Sequence, residues 1–169
     1  QAKTDGWATS DDIQVVALSA TVPDPDSIVA NYLGKAHVIR VEGGRPIEVV
    51  SNQGIDQPTD EALISYLTDL SRPEKILVFA NSRKRADELG GLLKGPLGTL
   101  GYQVAVHHGS LAQAEREATE AAMRNSAKIV VCATSTLEIG IDIGDIDLVV
   151  LDGPAPDLKA LLQRIGRGN

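Results

Sequence analysis

Three groups of polar residues in this chain are spaced for work on phosphate. Gln163, Arg164 and Arg167 stand at the end of a predicted helix, with Gly166 between the arginines permitting close approach. Arginines three residues apart point to one side of a helix, and the guanidinium fork binds two phosphate oxygens without losing its charge. An arginine that reaches a γ-phosphate from another site stabilises the charge that develops in phosphoryl transfer. A solvated helix C-terminus, where arginines favour the dipole, is the competing reading of this segment alone.

The second group is the run Ala133 to Asp142, which follows a buried strand and holds Thr134, Ser135, Thr136, Glu138, Gly140 and Asp142. Hydroxyls bind phosphate without carrying charge. An Asp near a nucleotide accepts hydrogen bonds from ribose hydroxyls. A polar loop with a glycine turn is the plainer alternative. The third group is His107-His108-Gly109-Ser110 with Gln113 and Arg116. A glycine at a strand end lets phosphate approach the backbone, and the helix start behind it offers unpaired N–H donors. Gln113 and Arg116 share a helical face. The adjacent histidines lack further ligands at metal spacing, so no metal is expected there. Two weaker signals are Asn81, Ser82 and Arg83 at the end of an apolar run, and Ser19-Ala20-Thr21 at the end of another.

What is missing matters as much. A phosphate-cradling Walker A loop ends in Gly-Lys-Ser/Thr, whereas Gly34-Lys35-Ala36 lacks the hydroxyl and the upstream glycine. Asp60-Glu61-Ala62-Leu63 imitates an acidic metal-holding box, but it follows Pro58 and Thr59 with no strand before it. It reads as a helix start stabilised by acids. This polypeptide alone is therefore not expected to hydrolyse ATP.

The elements that must position these residues follow from periodicity. Gln14–Leu18 reads as a buried strand, and Asp24–Leu33 as a helix with Pro25 in its first turn and Gly34 as its stop. Val38–Val41 and Ile47–Val50 read as short extended pieces of a linker around Gly43, Gly44 and Pro46. From there the pattern is regular, with helices over Pro58–Leu70, Arg83–Leu93 and Ala112–Met123, the last opened by Ser110. Strands fall at Lys75–Ala80, Gln103–Val106, Lys128–Cys132 and Asp147–Leu151. Asp157 caps a final helix. Alternating strands and helices with short connections predict an α/β fold, a parallel sheet covered by helices on both faces, with functional residues at the strands' carboxyl ends.

Composition fits this picture. The chain has 169 residues, 43% of them apolar but with one Trp, one Phe and three Tyr, so aliphatic residues must build the core. Its single cysteine, Cys132, excludes an internal disulfide and lies in an apolar run, as a buried thiol would. No apolar stretch is long enough to span a membrane, and the N-terminus carries no leader pattern, so a cytoplasmic protein without membrane partners is expected. A net charge of −7 argues against a nonspecific cationic nucleic-acid binder, though not against a grip made by hydroxyls and backbone N–H groups.

In order, these segments resemble the helicase motifs of superfamily 2, and within it the Lhr-like and DExH-type ATP-dependent helicases. Ser19-Ala20-Thr21 resembles motif III and Ile76–Arg83 motif IV. Gly109 with Gln113 and Arg116 resembles the element between motifs IV and V. Ala133–Asp142 resembles motif V, and Gln163–Arg167 motif VI. The resemblance implies a RecA-like fold of the P-loop NTPase type without its own Walker A loop. Residues 1–36 would be the end of a first RecA-like lobe, 37–57 a linker, and 58–169 a second lobe that stops just after motif VI begins.

It also implies that ATP with Mg2+ is held mostly by the first lobe of the same polypeptide. Arg167 would be an arginine finger, and Gln163 and Arg164 would support the nucleotide cleft that Gly140 and Asp142 face. Ser82, Arg83, Gly109, Thr134 and Ser135 would contact nucleic acid, while Ser19, Thr21, Gln113 and Arg116 would couple the two activities. Gln163 replaces the His, and Glu138-Ile139-Gly140 the Ala-Arg-Gly, of DEAD-box proteins, which favours DNA over RNA as partner. The alternatives are a superfamily 2 translocase that does not unwind, and a noncatalytic α/β module of receiver-like or flavodoxin-like architecture.

Overall fold

Every residue of β1 from Ile76 to Ala80 and every residue of β3 is buried, which only a sheet covered on both faces achieves. The computed structural model describes residues 24–34, 36–39, 48–50, 59–70, 72–138 and 144–168. The chain divides into two compact units, Gln1–Gly44 and Arg45–Asn169.

In the first unit a short helix, α1 (Pro25–Ile28), continues as a π-helical turn over Val29–Leu33. Asp24 caps it, accepting from the Ser27 N–H at 3.1 Å, and Pro25 occupies the first helical position. Gly34 ends it at φ +68°, a conformation that favours glycine. The predicted strand Gln14–Leu18 lies outside the described residues, as do Ser19 and Thr21. The described parts of the two expected extended segments, 38–39 and 48–50, carry no regular structure.

The second unit runs α2 (Thr59–Asp69), β1 (Lys75–Ala80), α3 (Arg83–Gly98), β2 (Gln103–His107), α4 (Gln113–Asn125), β3 (Ile129–Ala133), a 3₁₀ turn over Ser135–Leu137, β4 (Leu148–Asp152) and α5 (Leu158–Ile165). The strands pair in parallel in the order β2-β3-β1-β4. Because side chains alternate across a strand, Ile76, Val78 and Ala80 face α3 and α2 through Leu89, Leu93, Leu97 and Leu67. Leu77 and Phe79 face the other way, against Met123 of α4, Leu137 and Ile146.

Several boundaries differ from expectation. Helix α3 runs on through Gly95 and Pro96 to Gly98, because burying Leu97 beside Leu93 outweighs the helix-breaking pair. Ser110 does not open α4. Ala112 is the cap residue, and its N–H donates to the Glu115 carboxylate at 3.0 Å, while the Ser110 hydroxyl accepts from Arg83 Nη1 at 2.6 Å. Strands β3 and β4 each start and end one residue later than their patterns suggest. Asp157 caps α5 as expected, accepting from the Ala160 N–H at 2.7 Å.

Two features tie the sheet's ends. Asp147 accepts from the Glu74 and Lys75 N–H groups, both at 2.8 Å, at the amino end of β1. At the carboxyl end, Arg85 clasps Asp152 of β4 at 2.8 and 2.9 Å and also pairs with Asp60 of α2. The Arg85 hydrogen bond holds the Asp60 carboxyl below its ordinary range, and the two carboxylates hold Arg85 more firmly protonated than usual. Asp60 thus sits in a helix's first turn, as the sequence suggested, and there it also serves a structural ion pair.

Candidate functional site

The connection after β1 leads to α3 on one face, and that after β3 leads to the 3₁₀ turn whose Leu137 packs on the other. Neighbouring strands whose connections diverge leave a crevice at their carboxyl ends. There lies a cleft of about 470 Å³, walled by Asn81 to Arg83 after β1, Gly109 after β2, and Thr134 to Thr136 after β3. All five residues expected to contact nucleic acid, Ser82, Arg83, Gly109, Thr134 and Ser135, line this one cleft.

Each wall is braced from behind. Ser82 caps α3, accepting from the Arg85 N–H at 3.1 Å. Arg83 is exposed and crosses the cleft to Ser110. Arg116 Nη1 donates to the Leu111 carbonyl at 3.2 Å and more weakly to Gly109 O at 3.4 Å, so it shapes the glycine loop. Gln113 turns away, its amide donating to Glu117 on the helix surface at 2.7 Å.

The two histidines serve this framework. His107, 1% exposed, places Nδ1 at 2.8 Å from Thr136 Oγ1 and Nε2 at 3.0 Å from Glu120 Oε1. The imidazole thereby fixes a hydroxyl of the cleft wall. His108 turns Nε2 to Asp87 at 3.0 Å and leaves a buried Nδ1 without a hydrogen-bond partner. Among the described residues no group of three His, Cys, Asp or Glu could hold a metal ion.

Beside the cleft, α5 brings its two arginines onto the turn after β3. Arg164 is 2% exposed and lies over the Phe79 ring at 5.2 Å. Its Nε donates to Glu138 Oε1 at 2.8 Å and its Nη1 to Asn81 Oδ1 at 2.9 Å. Arg167, only half-buried, donates from Nη2 to the Glu138 carbonyl at 2.8 Å. Gln163 is half-buried on the same helix. Gly140 and Asp142 lie outside the described residues.

Sequence reasoning included Asn81, Thr136, Glu138 and His107 in its motifs but assigned none of them a role. Asn81 directly follows the buried run Ile76–Ala80, at the carboxyl end of β1, where ligands approach a parallel sheet. Glu138 was visible as an acid among apolar and hydroxyl residues. His107 gave no signal that separated it from a core histidine.

Comparison with known proteins agrees with this geometry. Residues 59–168 match the family described as the helicase conserved C-terminal domain. The chain is 34% identical over 169 residues to the ATP-dependent helicase Lhr-Core of Sulfolobus acidocaldarius, covering 90% of this chain and 19% of that protein. It is also 34% identical to the Lhr-Core helicase of Methanocaldococcus jannaschii, again over 90% of this chain and 19% of the relative. The chain thus spans under a fifth of those relatives. The pre-mRNA-splicing ATP-dependent RNA helicase prp-28 of Neurospora crassa is 29% identical over 161 residues, covering 91% of this chain and 21% of that protein. Among solved structures, Mycobacterium smegmatis helicase Lhr, bound to ssDNA and AMP-PNP, aligns with TM-score 0.53 and 32% identity over 64% of this chain and 14% of that one. The C-terminal domain of the DEAD-box protein Dbp5 aligns with TM-score 0.53 and 28% identity over 65% and 62%.

Proposed function

This chain belongs to the helicase conserved C-terminal domain family of superfamily 2, with a RecA-like fold, and from that premise we propose that it supplies two surfaces to an ATP-driven motor. One is the cleft, which takes the backbone of a nucleic-acid strand. The other is the turn that follows α5, which offers Arg167 to ATP held by another lobe. Family membership displaces the reading of a receiver-like or flavodoxin-like module.

The observation that carries the proposal is the convergence of Ser82, Arg83, Gly109, Thr134 and Ser135 on one cleft, next to the turn that holds Arg167. In the cleft, Arg83 supplies charge, the three hydroxyls supply neutral donors, and Gly109 lets a phosphate come near the backbone. Arg167 would leave the Glu138 carbonyl to meet the transferring phosphate, where a guanidinium in trans accelerates hydrolysis by about 10³–10⁵. Gln163 and Arg164 support that surface, Arg164 from within the fold. Gly140 and Asp142 would face the nucleotide, and Ser19 and Thr21 would couple the lobes. Mg2+ would depend on carboxylates outside the described residues.

DNA is favoured over RNA as the strand: the Lhr structure that aligns at 32% identity is bound to ssDNA, and the Lhr-Core relatives are more similar to this chain than the splicing RNA helicase is. In the full-length protein, Arg167→Ala should abolish nucleic-acid-stimulated ATP hydrolysis while strand affinity stays within about twofold. Turnover near the wild-type rate would remove the finger assignment. Competition between single-stranded DNA and RNA of one sequence tests the preference.

A further inference from the structure

Arg164 cannot itself be a nucleotide ligand in this arrangement, because its guanidinium is spent inside the protein. Its Nε is on Glu138, its Nη1 is on Asn81, and its plane lies against Phe79. Asn81 forms part of the cleft wall and is fixed on its far side, where its amide donates to the Pro154 carbonyl at 2.8 Å. The same Glu138 whose side chain takes Arg164 gives its carbonyl to Arg167. Four residues from three segments thus form one connected path from the cleft wall to the proposed finger.

We propose that Glu138, acting through Arg164 and Asn81, is a positioning residue that ties the placement of Arg167 to the state of the nucleic-acid cleft. The claim rests on the reading of Arg167 as a finger acting in trans. Its physical basis is that the buried link between Glu138 and Arg164, midway along the path, cannot yield by itself. The Glu138 side chain is 9% exposed and that of Arg164 2%, so water cannot replace a lost partner. Separating the pair would strand a buried charge, so a push on Asn81 moves α5 and the turn together. A strand that presses the carboxyl end of β1 therefore changes where Arg167 stands. Arg167 is two hydrogen bonds away from Arg164 through a single residue.

The test uses the full-length protein and compares wild type, Glu138→Gln, and the double variant Glu138→Gln with Arg164→Met. The readouts are strand affinity, the KM for ATP, basal and strand-stimulated kcat, and thermal unfolding. Replacing a buried ion pair by uncharged groups of similar volume typically preserves stability, so the double variant separates positioning from simple folding. In both variants the ratio of stimulated to basal kcat should fall about tenfold or more, because small misplacements of a reacting group cost rates of that order. Strand affinity and the KM for ATP should change less than about threefold. A double variant that unfolds like wild type and regains the wild-type ratio overturns the proposal, since the pair is then merely structural. If Glu138→Gln unfolds, the double variant alone decides. If wild type shows no stimulation, or Arg167→Ala keeps it, the finger reading fails first and takes this tie with it.

Discussion

Gly90 and Gly91 are consecutive residues of α3, yet alanine should have opposite effects at the two positions. A Cβ added at Gly90 would fall inside 3.0 Å of Val106 Cγ2, whereas one at Gly91 would meet nothing within 4 Å. Removing a glycine from a helix interior gains about 0.8–1.0 kcal/mol at either site. At Gly91 that gain stands alone, so Gly91→Ala should stabilise the domain by a little under 1 kcal/mol. At Gly90 it competes with overpacking, which typically costs about 1–3 kcal/mol. Val106 is β-branched and cannot swing its methyl aside cheaply, so the cost lies in the upper part of that range. The net is a loss of about 1–2 kcal/mol, and the two variants should differ by about 2–3 kcal/mol. Urea unfolding followed by circular dichroism would read this as a shift in midpoint at constant slope. The effect also has a functional direction, since Val106 precedes His107 and Gly109 at the cleft. Equal stability of the two variants would refute the packing argument, because helix propensity favours alanine equally at both positions.

Three further outcomes are expected. Thr134→Val should weaken single-strand binding by about 1 kcal/mol, the net worth of one hydrogen bond, and unchanged affinity at several salt concentrations would remove Thr134 from the contact surface. Arg83→Ala should weaken binding and also flatten the dependence of log affinity on log salt by about 0.7, and an unaltered slope would mean that Arg83 neutralises no phosphate. Burial pushes the Cys132 thiol up to about 12, so it should resist alkylation in the native state. Between pH 9 and 12 the unfolded thiol loses its proton while the folded one keeps it. This group's contribution to stability then falls by about 1.4 kcal/mol per pH unit, and Cys132→Val should remove that slope.

The parallel sheet was legible because its two central strands, β1 and β3, are buried on both faces, and such strands read as continuous apolar runs such as Ile129–Ala133. Boundaries were less legible where packing overrules local preference. Gly95-Pro96 looks like a stop, yet Leu97 still reaches the core. The cleft was legible because strand ends and glycines mark where ligands approach, and five residues chosen on that ground share one wall. The interior of the site was not. Nothing in the sequence pairs Arg164 with Glu138, 26 positions away, or with Asn81, 83 away. Spacing along a helix predicts a shared face but not its surroundings, so Arg164 and Arg167 look equivalent in the sequence and differ in burial. Gln113 shows the converse, since its helical neighbour Glu117 takes the amide that the motif comparison assigned to coupling.

The acidity of the chain becomes intelligible once the cleft is seen. A protein of net charge −7 cannot hold nucleic acid by a field of lysines, and the cleft contains Arg83 among amide, hydroxyl and glycine groups. Neutral donors to phosphate release few counterions, so such a grip depends on geometry more than on salt. A grip of that kind is weak wherever the donors are misaligned and firm where they fit. Asn81 connects this cleft to α5, so the fit between donors and strand can change as the arginine helix moves. A cationic surface would hold the strand in every position of the helix. A surface of hydroxyls can let go, as the proposed role in a motor would require once in each cycle.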